Sequence, residues 1–224
     1  MRACAIIPAF NEAENISKVI SGILEHAIDV IVVDDGSLDE TFLLAERSGA
    51  YVIRHAKRCG KGLSLKSGFD YAIKNGYDII ISMDADGQHD PAGIPLFLDK
   101  AKKIGSGIVL GNRMDNPKGM PIIRIITNKF MSSMISIICC RNIPDTQCGY
   151  RLFTRDAIAK VDIEAQKFEV ESEILVKLAR DGFAIESVPI RSIYGLEKSK
   201  IRPVRDTMRF ICFLIRTLIE KRQR

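Results

Sequence analysis

Through its first two thirds the chain repeats one pattern, a short run of aliphatic and β-branched residues followed by a stretch long enough for an amphipathic helix. Residues 3–7, 30–33, 51–53, 79–83 and 108–110 are such runs. A strand that is apolar on both faces must be covered on both, and parallel neighbours need a crossover of helix length between them. The pattern predicts an α/β sandwich, a mostly parallel central sheet flanked by helices. With 224 residues, no linker and no internal repeat, residues 1–224 are expected to form one domain.

In open sheets of this kind ligands lie beyond the carboxyl ends of the strands. The polar signatures fall there: Asn11-Glu12 after the first run, Asp34-Asp35-Gly36-Ser37 after the second, Asp84-Ala85-Asp86 after the fourth. Three strand ends are therefore expected to converge on one crevice.

Asp84 and Asp86 leave an apolar strand one residue apart, so both can reach one hard cation. Mg²⁺ or Mn²⁺ takes oxygen ligands and keeps waters or substrate phosphates in its shell, so one or two carboxylates and a diphosphate would complete such a site. The bland alternative is a solvated acidic turn. Ser37 followed by Glu40 fits a helix capping box, and Asn11 with Glu14 fits an N-cap and its partner. Neither explains the adjacent acids Asp34 and Asp35, of which Asp35 can accept hydrogen bonds from a base or ribose. Cys59-Gly60-Lys61-Gly62 lacks the spacing of a phosphate loop, and no GxGxxG follows the first strand, so ATP-loop and dinucleotide sites are disfavoured. The glycines still permit close backbone approach to a substrate, with Lys61 supplying charge.

After Gly111 the alternation weakens. A helix is expected over 122–140, a polar loop over 145–151, a helix over 169–181 and a strand over 185–193. The last segment, residues 203–224, reads as a basic amphipathic helix with Arg205, Arg209 and Arg216 on one side and Phe210, Phe213, Leu214 and Leu218 on the other. Much of the net charge of +5 lies there. Such a helix can lie in a headgroup region, or pack on the domain or on a partner subunit. The six cysteines show no CxxC pair or zinc-ligand spacing, and the N-terminus has no signal-peptide pattern, so reduced thiols in a cytoplasmic protein are expected. The longest uncharged apolar-leaning stretch, 130–140, is 11 residues, below the roughly 20 of a spanning helix.

In order along the chain, Ile6-Ile7-Pro8-Ala9-Phe10-Asn11-Glu12, residues 33–37, residues 84–89 and Asp145-Thr146-Gln147-Cys148-Gly149-Tyr150-Arg151-Leu152-Phe153 form a set that resembles family 2 glycosyltransferases, among them the dolichyl-phosphate mannose and glucose synthases. The likeness extends through 168–175 and Lys198-Ser199-Lys200. It implies a GT-A fold and an inverting sugar transfer that depends on Mg²⁺ or Mn²⁺. By position, Pro8, Phe10, Glu12, Val33 and Asp35 would form the nucleotide pocket with Lys61. Asp84, Ala85, Asp86 and Gln88 would hold the metal and diphosphate, with Asp84, Asp86 and Gln88 as ligands. Arg113, Arg151 and Lys200 would meet donor or acceptor phosphate, because a guanidinium can donate two bonds to phosphate oxygens.

The resemblance implies GDP-mannose or UDP-glucose as donor and a polyprenyl (dolichyl) phosphate as acceptor, at the cytoplasmic face of a membrane and with no nucleic acid involved. A lipid phosphate is already an anion near neutral pH and needs no strong general base. A soluble or polysaccharide hydroxyl acceptor would need one, with Asp145, Glu171 and Glu173 as candidates. A nucleotide-sugar-binding protein without turnover is the remaining alternative. The chain is expected to depart from the membrane-embedded members of the likeness, which carry C-terminal spanning helices where residues 203–224 read as a basic amphipathic helix.

Overall fold

Strand β1 (Ala3–Ala9) divides two cores. Cys4 and Ile6 point into one, Ala5, Ile7 and Ala9 into the other. The same alternation runs through β2 (Asp29–Asp34), with Ile31 and Val33 on the first side and Val30 and Val32 on the second. Both faces of each strand are thus spoken for, which is why the runs read as continuously apolar.

The computed structural model describes residues 1–164, 169–191 and 193. β1 leads through α1 (Ile16–Leu24) to β2, through α2 (Thr41–Arg47) to β3 (Tyr51–Arg54), and through α3 (Lys61–Lys74) to β4 (Ile79–Ser82). A 3-10 turn at Pro91–Gly93 opens α4 (Ile94–Ile104), which is followed by β5 (Gly107–Asn112) and the long α5 (Ile122–Cys139). Then come β6 (Arg151–Thr154), the single turn α6 (Arg155–Ile158), α7 (Val170–Arg180) and β7 (Ala184–Pro189). The seven strands form one sheet in the order β3-β2-β1-β4-β6-β5-β7. Ile16, Val19, Ile20 and Ile23 of α1 and Phe97 of α4 fill the core on one side; Leu65 and Phe69 of α3 and Ile174 and Leu178 of α7 fill it on the other.

All five expected early strands form, and the helices expected over 122–140 and 169–181 are α5 and α7. The strand expected over 185–193 is the shorter β7. β6, which sequence reading left beside a polar loop, is new. It runs antiparallel to both β4 and β5, pairing Arg151 with Ser82 and with Leu110. That direction brings the start of β6, and so the 145–150 loop, to the carboxyl ends of β4 and β5. Strand order also reverses beside β1, between the β3-β2 side and β4, the place where open sheets of this kind bind their ligands.

Three local expectations change. Ser37 is not a cap of α2: its hydroxyl accepts from the Asn11 amide at 3.0 Å. Asn11 is not a cap of α1: it takes a left-handed φ of 53° and its side-chain oxygen accepts from Leu38 N at 2.9 Å. Together with Glu12 N to Thr41 Oγ1, at 2.8 Å, these bonds zip the loops after β1 and β2 together. α5, finally, is long and apolar enough to cross a membrane by length and composition, which counting only uncharged residues had missed. It is tied to the domain by side-chain bonds at Ser132 and Ser136. The helix expected over 203–224 lies outside the described residues. Cys4, Cys59, Cys139, Cys140 and Cys148 are free thiols, so no disulfide is present among the described residues.

α3 lies so close to β1 that a Cβ on Gly68 would stand 2.4 Å from Cγ2 of the fully buried Ile6. Alanine favours a helix interior by about 1 kcal/mol, but overpacking a fixed core costs about 1–3 kcal/mol. Gly68→Ala is expected to lower the stability measured by urea denaturation, despite its better helix propensity.

Candidate active site

Four polar groups meet around the carboxyl ends of β1, β2 and β4, and each carboxylate there has a different partner.

Asp35, at the end of β2, is buried. One carboxylate oxygen accepts from Cys59 N at 2.8 Å and contacts His55 Nδ1 at 2.9 Å; the other accepts from Gly60 N at 2.8 Å. The opposite His55 ring nitrogen meets Ser67 Oγ at 3.1 Å. Asp35 therefore organises the 55–60 loop that launches α3 from Gly60, whose φ of 102° suits glycine. With four acceptor positions on a carboxylate and three taken, one stays open to a ligand. Asp35, His55 and Cys59 also place potential ligand atoms within 4.8 Å of one another. Backbone donors already hold this carboxylate, however, so the set reads as loop architecture. Beside it Phe10 is half-buried under the Arg58 guanidinium, 4.1 Å from the ring centroid. Pro8 and Glu12 are half-buried too, while the Val33 side chain is fully buried in the core.

Asp84 and Asp86 follow β4, with Ala85 between them buried. Asp84 is met by Lys61 Nζ at 2.6 Å and His89 Nε2 at 3.4 Å. Burial works to raise its pKa, but the Lys61 ammonium and His89 overcome that and hold the carboxyl well below its usual range. Asp86 goes the other way. Burial and the neighbouring charge of Asp84 raise its pKa, although its carboxylate accepts from Gln88 N at 3.0 Å. Gln88 also accepts on its carbonyl from Ile193 N at 2.9 Å. Two hard oxygen donors that repel one another at a strand exit are a donor set that Mg²⁺ or Mn²⁺ fits, since a divalent cation would relieve the repulsion.

Lys61 bridges further. Its ammonium lies 2.7 Å from Glu171 Oε1 on α7 as well as against Asp84, and these two carboxylates keep it protonated against the pull of burial. Under Glu171 sits Arg151, wholly buried, donating to the carbonyls of Cys148, Thr146 and Glu171 at 2.6–2.8 Å. Arg151 is thus neither an exposed phosphate contact nor a surface salt bridge. It clamps the 146–148 loop to α7.

Arg113 and Asp145 are both buried and form a two-pronged pair at 2.7 and 2.9 Å. Asp145 also accepts from the backbone amides of Arg113 and Gln147. A carboxylate with four donors, two of them on a guanidinium, is a poor proton acceptor, so the geometry makes Asp145 a positioner of Arg113. Glu173, another candidate base, accepts from Lys177 Nζ at 2.7 Å and from Glu164 N at 3.0 Å. Lys200 lies outside the described residues.

Sequence reading gave no role to Gly149 or His89. A Cβ on Gly149 would stand 2.5 Å from an Asp84 oxygen, and its carbonyl accepts from Ser82 Oγ at 2.8 Å. Only glycine lets the 145–150 loop close over Asp84. His89 is buried, with its ring 5.5 Å from that of Tyr150 and its Nε2 3.4 Å from Asp84. A glycine inside an otherwise bulky motif was the available signal for the first; nothing local marked the second.

Removing one partner from a buried, hydrogen-bonded ion pair costs roughly 3–5 kcal/mol, because the other charge is left uncompensated. Asp145→Ala is therefore expected to lower the stability seen in chemical denaturation by about that amount. A general base at this position would predict lost turnover at unchanged stability.

Comparison with known proteins agrees with this architecture. Residues 4–162, more than half of the chain, match the model of glycosyl transferase family 2. An undecaprenyl-phosphate mannosyltransferase of Micrococcus luteus is 32% identical over 206 residues, covering 85% of this chain and 83% of that one. A UDP-N-acetylglucosamine–dolichyl-phosphate N-acetylglucosaminyltransferase of Methanococcus voltae is 29% identical over 212 residues, covering 84% of each. Among solved structures, glucosyl-3-phosphoglycerate synthase from Mycobacterium tuberculosis, in complex with Mn²⁺, UDP and phosphoglyceric acid, superposes with a TM-score of 0.72 at 22% identity, covering 98% of this chain and 78% of that one. At that identity the likeness is one of fold, and the fold is GT-A. The chain is a glycosyltransferase that resembles the dolichyl-phosphate sugar synthases, and it belongs to glycosyl transferase family 2.

Proposed function

We propose that the chain moves a hexose, with inversion, from GDP-mannose or UDP-glucose to a polyprenyl phosphate at the cytoplasmic face of a membrane. The observation that carries the choice of acceptor is the state of the candidate bases. Asp145 is held by Arg113, Glu173 by Lys177, and Glu171 by Lys61. A hydroxyl acceptor needs a carboxylate ready to take its proton; a phosphate acceptor arrives as an anion and does not. The names of the relatives support the same class of acceptor, and their differing sugars leave the donor to experiment.

Asp84 and Asp86 would hold Mg²⁺ or Mn²⁺, and a cation bound there supplies positive charge to the departing nucleoside diphosphate. Lys61 adds a fixed ammonium at the same edge of the crevice, already in place before any ligand arrives. Asp35 holds the loop that lines the nucleotide side, and its open acceptor position suits a donor N–H or O–H of a base or ribose. Asp145 keeps the Arg113 guanidinium oriented at the end of β5, where it can serve a phosphate.

Incubation with labelled GDP-mannose, UDP-glucose or UDP-N-acetylglucosamine and a polyprenyl phosphate is expected to carry label into the organic phase from one donor, with Mg²⁺ or Mn²⁺ but not with EDTA. Donor binding without lipid product would turn the reading toward a soluble or polymer hydroxyl acceptor.

Asp86→Asn should remove most of this metal-dependent transfer in a folded protein, and pH adds a sign. Because the Asp86 pKa is raised, its carboxyl takes up a proton at a higher pH than an ordinary aspartate. The cation must displace that proton, so the metal concentration for half-maximal activity is expected to rise as pH falls, and to begin rising at a higher pH than an ordinary aspartate would require. A metal requirement that stays flat down through the ordinary aspartate range would contradict the assignment of Asp86.

A further inference from the structure

α5 is apolar on both sides: Ile135 is buried and Met131, Met134, Ile138 and Cys139 pack against the core, yet a second set of apolar residues faces outward. Of its eighteen residues, the buried ones are Asn128, Ser132 and Ile135. Ser132 Oγ accepts from Thr146 N at 2.9 Å, and Ser136 Oγ accepts from Ile143 N at 3.0 Å, so polar side chains help fasten the helix to the domain. On the outside Ile122, Ile123, Ile126, Phe130 and Ile137 are 75%, 68%, 59%, 51% and 69% exposed. Their spacing sets them along one stripe at the helical period. A water-facing helix puts its aliphatic residues inward and its polar ones outward, and a contiguous apolar surface of this kind marks an interaction site.

Charge identifies what covers the stripe. Between Asp115 and Asp145 the chain carries Lys118, Arg124, Lys129 and Arg141 and not one acidic residue. A second copy packed face to face would bring these cations against their own counterparts. Residues 198–224 of this chain carry nine Lys and Arg against Asp206 and Glu220, so they offer no complement in charge, although Phe210, Phe213, Leu214 and Leu218 are apolar. An anionic lipid surface offers both things at once, acyl chains for the aliphatic stripe and headgroups for the cations.

We propose that α5 lies in the surface of an anionic bilayer, with Ile122, Ile123, Ile126, Phe130 and Ile137 at the boundary between headgroups and acyl chains. The helix begins nine residues after Arg113, and its inner face bonds Thr146 beside Asp145. Docked in this way, it sets the crevice next to the lipid surface, where the phosphate of a prenyl acceptor projects. The use of that placement rests on the acceptor proposed above; the docking itself does not.

The chain contains no tryptophan, so Phe130→Trp installs a single reporter on an exposed site. Vesicles containing phosphatidylglycerol are expected to shift its emission to the blue, and brominated acyl chains to quench it. Pure phosphatidylcholine should do far less. Adding Ile126→Glu should weaken vesicle binding by roughly tenfold, equivalent to about 1.4 kcal/mol. Emission unchanged by anionic vesicles overturns the proposal. So does emission already blue-shifted in buffer, which would show the stripe covered by a second copy if it depends on concentration and by this chain's own residues if it does not.

Transfer to a short, water-soluble prenyl phosphate separates this result from the function. Ile126→Glu is expected to keep that transfer while losing transfer to a vesicle-borne acceptor, and equal loss of both overturns the coupling between docking and catalysis. If neither acceptor is used by a protein that binds vesicles fully, the acceptor reading fails and the docking stands.

Discussion

One ammonium group joins the three walls of the crevice. Lys61 opens α3, Asp84 ends the run from β4, and Glu171 sits in the first turn of α7, yet Lys61 Nζ lies within 2.7 Å of both carboxylates. The side chains are mostly buried, at 18% exposure for Lys61, 30% for Asp84 and 8% for Glu171, so water screens the charges poorly. Desolvation alone would push the lysine toward neutrality and the aspartate toward protonation. Their proximity reverses both tendencies, since the lysine pKa is raised and that of Asp84 lowered. Without the ammonium two carboxylates would face each other across a gap, and the helices that frame the site would lose the contact that fixes their distance.

The remaining acids sort by what already satisfies them. Asp35 spends its carboxylate on backbone amides and His55, and so shapes a loop. Asp145 holds Arg113, and Glu173 holds Lys177 against the 164 amide. Asp86 differs: it has a backbone donor but no cation at contact among the described residues, and burial together with the charge of Asp84 presses its pKa upward. The demand for positive charge is therefore strongest at Asp86, beside an Asp84 already met by Lys61 and His89, and a divalent ion with a diphosphate would supply and use it there. Gly149 makes this arrangement possible by letting the neighbouring loop close to within a carboxylate's width.

Much of this was legible before the structure. Continuous apolar runs announced a sheet covered on both faces, and the acidic turns do lie at the carboxyl ends of β2 and β4, the two neighbours of β1. The capping roles expected of Asn11 and Ser37 failed because each residue had a longer-range partner, the other loop, that outcompeted a local helix terminus. β6 escaped notice because four residues beginning with an arginine show no period, and its arginine is stabilised in the core by three carbonyls that sequence does not display. The exposed apolar stripe of α5 was equally hidden, since composition records which residues a helix contains and not which way they point.

The sequence by itself determined the layers of the fold and the place of the acidic turns, because hydrophobic period and strand-end chemistry are properties of neighbouring residues. Only the tertiary structure decided which acids are spent and which remain for a ligand. Lys61 and Glu171 are 110 residues apart, and Arg113 and Asp145 are 32 apart. A charge pair closed over such distances leaves no local signature, so its existence waits on the antiparallel turn of β6 and on the packing of α3 and α7 that bring the partners together.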